Sequence, residues 1–314
     1  MSLPWRTRAF CAVVDRLSGS PLSEKSLRQI ERARLLRPPH WFPLSLIFGR
    51  VPRDVTWHDE QATTPAGSLR VRVYSPAGSA AGRPLVLYFH GGGWVTGSVP
   101  GFDAVCGQIA SRVSAVVVSV DYRLAPEHPF PAAVEDCDEA TRWAVQQAAR
   151  WGVDPERVAV AGDSAGGGLA AVVCLLARDR GPTITAQVLV YPGLDGTLSS
   201  PSLDTFAHAP ILTKRKVLDY VARYNPAGDR RDPRFSPLHA AALDGLPAAL
   251  IQTADHDPLV DDGRRYAHTL REAGVAVRYT EYHDVPHGFL SFPGAAASGD
   301  APIAEIAQFL RKML

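Results

Sequence analysis

Apolar residues along this chain follow two kinds of spacing, and the first of them predicts strands. Two early segments, Val55 to Asp59 and Leu69 to Tyr74, alternate apolar and polar residues, which is typical of an antiparallel hairpin at the edge of a sheet. Six later runs are almost continuously apolar and predict strands buried on both faces. They are Leu85 to His90, Ala115 to Val120, Arg157 to Ala161, Ala186 to Tyr191, Ala248 to Thr253 and Val275 to Tyr282.

Helical spacing fills the intervals between these strands. The predicted helices are Phe102 to Val113, Ala132 to Arg150, Ala165 to Arg178, Asp261 to Ala273 and Ala301 to Met313. Strands and helices that alternate in this way predict an α/β fold, in which a mostly parallel, twisted sheet carries helices on both faces.

Two segments interrupt this alternation. Residues 1–52 contain no predicted strand but two predicted helices, Trp5 to Leu17 and Ser23 to Leu36, and we interpret them as an N-terminal helical cap on the sheet domain of residues 53–314. A segment that merely covers apolar surface is the alternative. A second long interval, at about 195–240, contains a predicted helix from Thr213 to Tyr224 and predicts a second, ordered cap insertion.

Composition narrows the class of protein. The 314 residues are 46% hydrophobic and 21% charged with a formal net charge of +1, so a globular protein without a nucleic-acid partner is expected. No apolar run approaches the roughly 20 residues that a membrane span requires. The four cysteines form no C-x-x-C pair and the first residues carry no secretory pattern, so we expect neither a metal site nor disulfides, and a cytoplasmic location.

The segment V-A-V-A-G-D-S-A-G-G-G, from Val158 to Gly168, predicts a strand, a sharp turn and a helix in succession. A serine at the apex of such a turn, here Ser164, has a strained backbone and an exposed hydroxyl, and it lies at the positive end of a helix dipole. The glycines two residues before and two after it allow the strand and the helix to approach each other closely. The strand and helix on either side therefore support a nucleophilic serine, whereas the five-residue pattern G-x-S-x-G alone would not.

A glycine loop follows the first buried strand, in the order His90, Gly91, Gly92, Gly93 and Trp94. Successive glycines expose backbone N–H groups, which an oxyanion hole requires. A nucleotide-phosphate loop, with Asp121 contacting a ribose, is the alternative. The glycines match neither G-x-G-x-x-G nor a Gly-Lys-Ser/Thr helix start, so the oxyanion interpretation is favoured.

A nucleophilic serine needs a base and a residue that orients this base. Reactive residues of open α/β sheets lie beyond the carboxyl ends of the strands, so both partners are expected after later strands. The last two strands are followed by loops that begin at Asp255 and at His283. Asp255 and Asp257 compete in the first, and His283 and His287 in the second, while His256 is a further candidate. The order Ser, Asp, His is the one typical of α/β-hydrolases.

The chain resembles the hormone-sensitive-lipase-like family of microbial carboxylesterases, which has the α/β-hydrolase fold. The resemblance covers about two hundred residues through the segments His90 to Gly93, Asp121 to Ala133, Gly162 to Gly167, Asp257 to Leu259 and His287 to Phe289. It implies Ser164 as nucleophile, His287 as base and Asp257 as its orienting acid. It implies the N–H groups of Gly92, Gly93 and Ala165 as the oxyanion hole, with Gly91 as a less certain member.

These observations predict a serine carboxylesterase that hydrolyses short- to medium-chain acyl esters of small molecules and needs no metal or organic cofactor. Related enzymes often pair through the last strand, which predicts a homodimer. Side chains of the two cap segments and of the glycine loop are predicted to form the acyl pocket, with core packing as the alternative for each: Trp41, Phe42, Trp94, Phe206, Ile211 and Leu212.

Three other functions compete with this prediction. The same site is suited to an amide, a carbamate or an acetylated small molecule. A non-catalytic binding protein on the same fold is a second alternative. A lipase acting at an interface is the third, and it is disfavoured because the sequence pattern suggests no large exposed apolar patch.

Overall fold

A computed structural model describes residues 3–17, 19–35, 37–38, 41–65, 67–78 and 81–314. Within them, one sheet has the strand order β1-β2-β4-β3-β5-β6-β7-β8. The strands are β1 Val55–Thr64, β2 Gly67–Pro76, β3 Arg83–Phe89, β4 Val116–Val120, β5 Val153–Asp163, β6 Ala186–Val190, β7 Ala248–His256 and β8 Val277–Pro286.

The sheet is mostly parallel. β2 pairs antiparallel with both β1 and β4, and every other pairing is parallel. The predicted α/β class and the hairpin at the sheet edge are therefore confirmed. Parallel pairing aligns the carboxyl ends of β3, β5, β6, β7 and β8, so the loops that follow these strands meet at one edge of the sheet.

The α-helices lie on both faces of this sheet and within the two cap segments. They are α1 Trp5–Leu17, α2 Leu27–Arg34, α3 Ser45–Phe48, α4 Asp103–Val113, α5 Ala132–Gln146, α6 Ala165–Arg180, α7 Ser202–Thr205, α8 Lys214–Tyr224, α9 Val260–Glu272 and α10 Ala301–Met313.

Two hydrophobic cores cover the two faces of the sheet. Leu85 and Leu87 of β3 point to the face that α5, α6 and α9 cover, whereas Val86 and Tyr88 point to the face that α4 and α10 cover. All four side chains are buried, since successive side chains of a strand point to opposite faces. The continuous apolar runs of the sequence follow from this arrangement.

The second helix is shorter than the sequence suggested. The prediction began at Ser23, but α2 begins after Ser26, whose hydroxyl accepts a hydrogen bond from the Gln29 N–H. The Gln29 side chain in turn accepts one from the Ser26 N–H, which completes a capping box. The preceding residues form a short 3-10 turn, and Leu36, the predicted last residue, lies outside the described residues.

The N-terminal segment lies against the second insertion and against the C-terminal part of the chain. Asp15 accepts hydrogen bonds from the Lys216 ammonium at 2.9 Å and from the Ile211 N–H at 3.1 Å. The Arg34 guanidinium donates to the Val95 carbonyl at 2.8 Å and forms a bidentate pair with the Glu127 carboxylate. These charged contacts connect residues 1–52 to the segments that surround the glycine loop.

The helices of the described residues include none with the length and apolarity needed to cross a membrane.

Candidate active site

The turn at Ser164 has the strained geometry that its sequence predicted. Ser164 lies between β5 and α6 with φ 54° and ψ −120°, a conformation that is costly for a residue with a side chain. A Cβ atom on Gly166 would lie 1.9 Å from the Phe89 carbonyl oxygen, and one on Gly162 would lie 2.2 Å from the Gly166 carbonyl oxygen. Only glycine fits at either position, because a backbone atom occupies the space that a side chain would need.

The structure brings Ser164, His287 and Asp257 into one chain of hydrogen bonds. The Ser164 Oγ lies 2.8 Å from His287 Nε2, and His287 Nδ1 lies 2.7 Å from Asp257 Oδ2. Asp257 is fully buried, and its other carboxylate oxygen accepts the Leu259 N–H at 2.9 Å. Because an ionised carboxylate only accepts hydrogen bonds, Nδ1 carries the proton, and Nε2 is free to accept one from the serine hydroxyl.

Tyr191 holds the imidazole of His287 from the side. Their ring centroids are 4.6 Å apart, and the Tyr191 ring in turn packs edge-on against Phe289 at 4.9 Å. Tyr191 follows β6 with a φ of 35°, which is uncommon for a residue with a side chain. From the sequence, Tyr191 is only the last residue of a predicted buried strand, since neither its backbone conformation nor its contact with His287 leaves a local signal.

The glycine loop presents backbone N–H groups beside Ser164. The N–H groups of Gly92, Gly93 and Ala165 have no acceptor among the described residues, whereas the Gly91 N–H donates to Asp163 Oδ1 at 2.9 Å. Gly91 is thus occupied in supporting the loop. Gly92 and Gly93 have φ values of 127° and 60°, which glycine adopts readily.

Asp163 supports the loop from below. Its carboxylate also accepts a hydrogen bond from the Tyr88 hydroxyl at 2.8 Å, and the side chain is buried. Burial raises the pKa of Asp163 to about 6, because removal from water disfavours the charged form, although its hydrogen bonds and the nearby His287 oppose this. Asp163 thus positions the Gly91 N–H and the Tyr88 hydroxyl, and we assign it no role in proton transfer.

His90 packs inside the same loop as an uncharged ring. It stacks on Tyr122 with centroids 4.4 Å apart, and its Nδ1 lies 2.8 Å from the Gly91 carbonyl oxygen. Complete burial lowers the pKa of His90, so the neutral imidazole donates its Nδ1 proton to that carbonyl. Contacts within the protein therefore hold the loop in its conformation.

The competing acid and base candidates lie elsewhere. Asp255 accepts the N–H groups of Asp284 and Val285 at 2.9 and 3.2 Å, and it pairs with His256 at 2.8 Å. The His283 side chain is 77% exposed and lies 3.6 Å from Asp255. None of these side chains contacts Ser164. Asp255 therefore fixes the C-terminal end of β8, whereas Asp257 reaches His287.

A cavity of about 280 Å³ opens at Ser164 and is mostly apolar. Of the predicted pocket residues, Trp94, Ile211 and Leu212 line it. Trp41 and Phe42 do not, since they lie on the outer surface of the N-terminal segment with 64% and 77% of their area exposed.

Phe206 also lies outside the cavity, where its ring is 6.2 Å from that of His256. The predicted pocket role is therefore wrong for Trp41, Phe42 and Phe206, because apolar character alone does not reveal which way a loop side chain faces. The cavity is lined instead by side chains that the sequence pattern did not predict, namely Val217, Tyr220 and Val221 of α8 together with Phe235.

Comparison with known proteins places this geometry in a family. The family described as alpha/beta hydrolase fold matches residues 86–291, which contain the glycine loop, Ser164, Asp257 and His287. The chain belongs to this family, in its hormone-sensitive-lipase-like branch. It is a carboxylic ester hydrolase, as its relatives indicate.

Two relatives from Mycobacterium tuberculosis support this conclusion. The carboxylic ester hydrolase LipN is 44% identical over 83% of this chain and 71% of its own length, and the carboxylesterase NlhH is 41% identical over 90% of this chain and 89% of its own length. A hyperthermophilic esterase from the archaeon Pyrobaculum calidifontis has a similar structure, with a TM-score of 0.88 and 36% identity over 100% of this chain and 99% of its own.

Proposed function

We propose that this carboxylesterase works through a Ser164-His287-Asp257 triad and an acyl-enzyme intermediate. The observation that carries the proposal is the unbroken chain of hydrogen bonds from Ser164 Oγ through His287 to the buried Asp257 carboxylate. His287 Nε2 accepts the proton of Ser164 Oγ while that oxygen attacks the ester carbonyl carbon. Asp257 holds the tautomer and stabilises the imidazolium that forms.

The negative charge that develops on the carbonyl oxygen is stabilised by the free N–H groups of Gly92, Gly93 and Ala165. Ala165 is the first residue of α6, so the helix dipole adds to this stabilisation. His287 then donates its proton to the leaving alcohol, and water attacks the acyl-enzyme in the same manner. These steps use only side chains and backbone groups of this chain together with the ester and one water molecule.

The position of His287 assigns the two sides of the cavity. The leaving alcohol takes its proton from His287, so its site lies beside this ring, where Gly288 and Ile211 line the cavity. The acyl group extends in the other direction, along the indole of Trp94. This ring lies close to the backbone of Gly168, in the first turn of α6, and of Gly193, in the loop after β6, since a Cβ atom on either glycine would be about 4 Å from it.

Phe235 closes the acyl side. Its ring is 5.6 Å from that of Trp94, and a Cβ atom on Gly196 would lie 2.1 Å from Phe235 Cε1, so the ring packs directly on the backbone. The whole cavity measures about 280 Å³, at the lower end of the range for small-molecule sites. A short- to medium-chain acyl group suits a cavity of this size.

The division into caps and a catalytic domain is also part of the proposal. The insertion at about 195–240 contributes the roof of the cavity through Ile211, Leu212, Val217 and Tyr220. Residues 1–52 hold this insertion through the contacts of Asp15 with Lys216 and Ile211. A homodimer paired through β8, an edge strand of the sheet, and a cytoplasmic location stay predictions.

Hydrolysis of p-nitrophenyl acetate, butyrate and longer esters by the purified protein tests the proposal, together with labelling by a fluorophosphonate probe. We expect Ser164→Ala to lose both hydrolysis and labelling while its thermal unfolding is little changed. Full activity of Ser164→Ala would refute the assignment of the nucleophile. Rates on matched amides and carbamates decide whether an ester is the preferred substrate, and a folded wild-type protein that reacts with none of these would favour the binding-protein alternative.

A further inference from the structure

Large exposed apolar side chains are concentrated in one segment of this chain. Among the described residues, ten large hydrophobic side chains are exposed, and eight of them lie between residues 5 and 46: Trp5, Val13, Leu17, Leu27, Leu35, Trp41, Phe42 and Leu46. Single exposed apolar residues are ordinary, but their concentration in a seventh of the chain is not.

The same segment carries a net positive charge, whereas the rest of the chain carries a net negative charge. Residues 1–52 contain nine Lys and Arg and three Asp and Glu, whereas the other 262 residues contain 24 and 29. The near-neutral total therefore combines a basic segment with an acidic remainder. Arginines of this segment are exposed and have no carboxylate partner among the described residues: Arg6, Arg8, Arg16, Arg28, Arg32 and Arg37.

Helix α1 combines both properties on its outward face. Thr7 and Cys11 are buried, and Phe10 packs against Phe48 and Phe292, so this side of the helix faces the protein. The outward side carries an aromatic and two aliphatic side chains, 57 to 81% exposed, together with three arginines. These residues are Trp5, Arg6, Arg8, Val13, Arg16 and Leu17.

We propose that the exposed side chains of residues 5–46, which we term the cationic cap face, form a docking surface for negatively charged lipid bilayers. Helices that lie on membranes combine Lys and Arg with Trp, Phe and Leu in this way, since apolar side chains enter the headgroup boundary while the cations pair with anionic lipids. The acidic remainder of the molecule would be repelled by the same surface, which fixes the orientation of the bound protein.

Other occupants fit this face less well. A second copy docking through the same face would oppose two basic surfaces, which is unfavourable. Nucleic acid would pair with the arginines but offers little to aliphatic residues such as Val13, Leu17 and Leu46. A lipid surface satisfies both the charges and the aliphatic side chains. The proposal goes beyond the proposed hydrolysis and does not depend on the identity of the triad.

Binding of the full-length Ser164→Ala protein to extruded vesicles tests the proposal without turnover. Co-sedimentation compares vesicles of phosphatidylcholine alone with vesicles that also contain about 30 mol% phosphatidylglycerol, whose anionic headgroups create a negative surface potential. We expect binding to the anionic vesicles that weakens between about 0.1 and 0.5 M salt, because salt screens exposed charges.

Three double variants locate the surface. Arg8→Glu with Arg16→Glu should weaken binding at least about tenfold, since each cation near an anionic surface contributes about fivefold. Trp5→Ser with Leu17→Ser should weaken it by a similar factor. Arg271→Glu with Lys312→Glu makes the same change in charge near the C-terminal ends of α9 and α10, at the opposite edge of the sheet, and should leave binding unchanged.

Hydrolysis of soluble p-nitrophenyl acetate by the same cap variants in the wild-type background verifies that they fold, and it should stay within about twofold of wild type because none of these side chains lines the cavity. No binding to anionic vesicles, or equal loss in all three double variants, would overturn the proposal. A dimer that the two cap variants convert to monomers in the absence of lipid would also overturn it, because the face would then join two copies.

Discussion

Shortening Phe235 tests which side of the cavity holds the acyl group. The Phe235 side chain is 4% exposed and packs on Gly196 and Trp94, so Phe235→Ala opens space at the closed end. Burial of one additional methylene group contributes about 0.8 kcal/mol, which corresponds to roughly fourfold in kcat/KM. If two more methylene groups fit, the ratio of kcat/KM for octanoate to that for hexanoate should increase by about tenfold or more relative to wild type.

The assay is a series of p-nitrophenyl esters from acetate to dodecanoate, measured under one set of conditions. Removal of a buried phenyl ring costs about 3–5 kcal/mol of stability, so the folded fraction of each variant is measured by thermal unfolding. Phe235→Leu retains part of the packing and should shift the chain-length profile less. Phe206→Ala makes the same truncation outside the cavity and serves as the matched control.

An unchanged chain-length profile in folded Phe235→Ala and Phe235→Leu would refute the assignment of the acyl side. So would an equal shift in Phe206→Ala, since the effect would then not arise from the cavity. A change confined to esters that differ in their alcohol would place the acyl group on the side of His287 instead.

Two further predictions concern carboxylates of the site. Asp257→Asn should lower kcat by about 10⁴-fold with little change in KM, because the amide cannot hold the reactive tautomer of His287. The control variant Asp255→Asn should keep kcat within about tenfold of wild type. Equal losses of kcat in steady-state assays of the two variants would contradict the choice of Asp257 over Asp255. Asp163→Asn should flatten the dependence of stability on pH. The pKa of Asp163 is raised to about 6 in the folded protein, so its contribution to the free energy of unfolding is complete below the unfolded pKa of 3.8 and is lost as the pH rises through about 6. Urea unfolding at pH 5 and pH 8 should show about 1–2 kcal/mol less loss in the variant than in wild type, and parallel losses would show that Asp163 does not titrate in this way.

The sequence by itself determined the strands, the helices that separate them and the turn at Ser164. These features leave signals in the local sequence, because buried parallel strands require continuous apolar runs and because only glycine fits where Gly166 approaches the Phe89 carbonyl. The spacing of Gly162, Ser164 and Gly166 therefore indicates the proposed nucleophile, and the glycine loop after β3 indicates the proposed oxyanion donors.

Only the tertiary structure decided which side chains of the later loops meet. Asp255 and Asp257 are two residues apart and equally suited by type. Backbone amides at the end of β8 bind the Asp255 carboxylate, whereas the turn at Leu259 directs Asp257 toward His287. The same holds for the cavity, where Phe235 approaches Trp94 from a distant part of the chain while Phe42 faces outward. Side-chain direction in loops is set by contacts between segments far apart in sequence, and the local pattern of polar and apolar residues does not encode it.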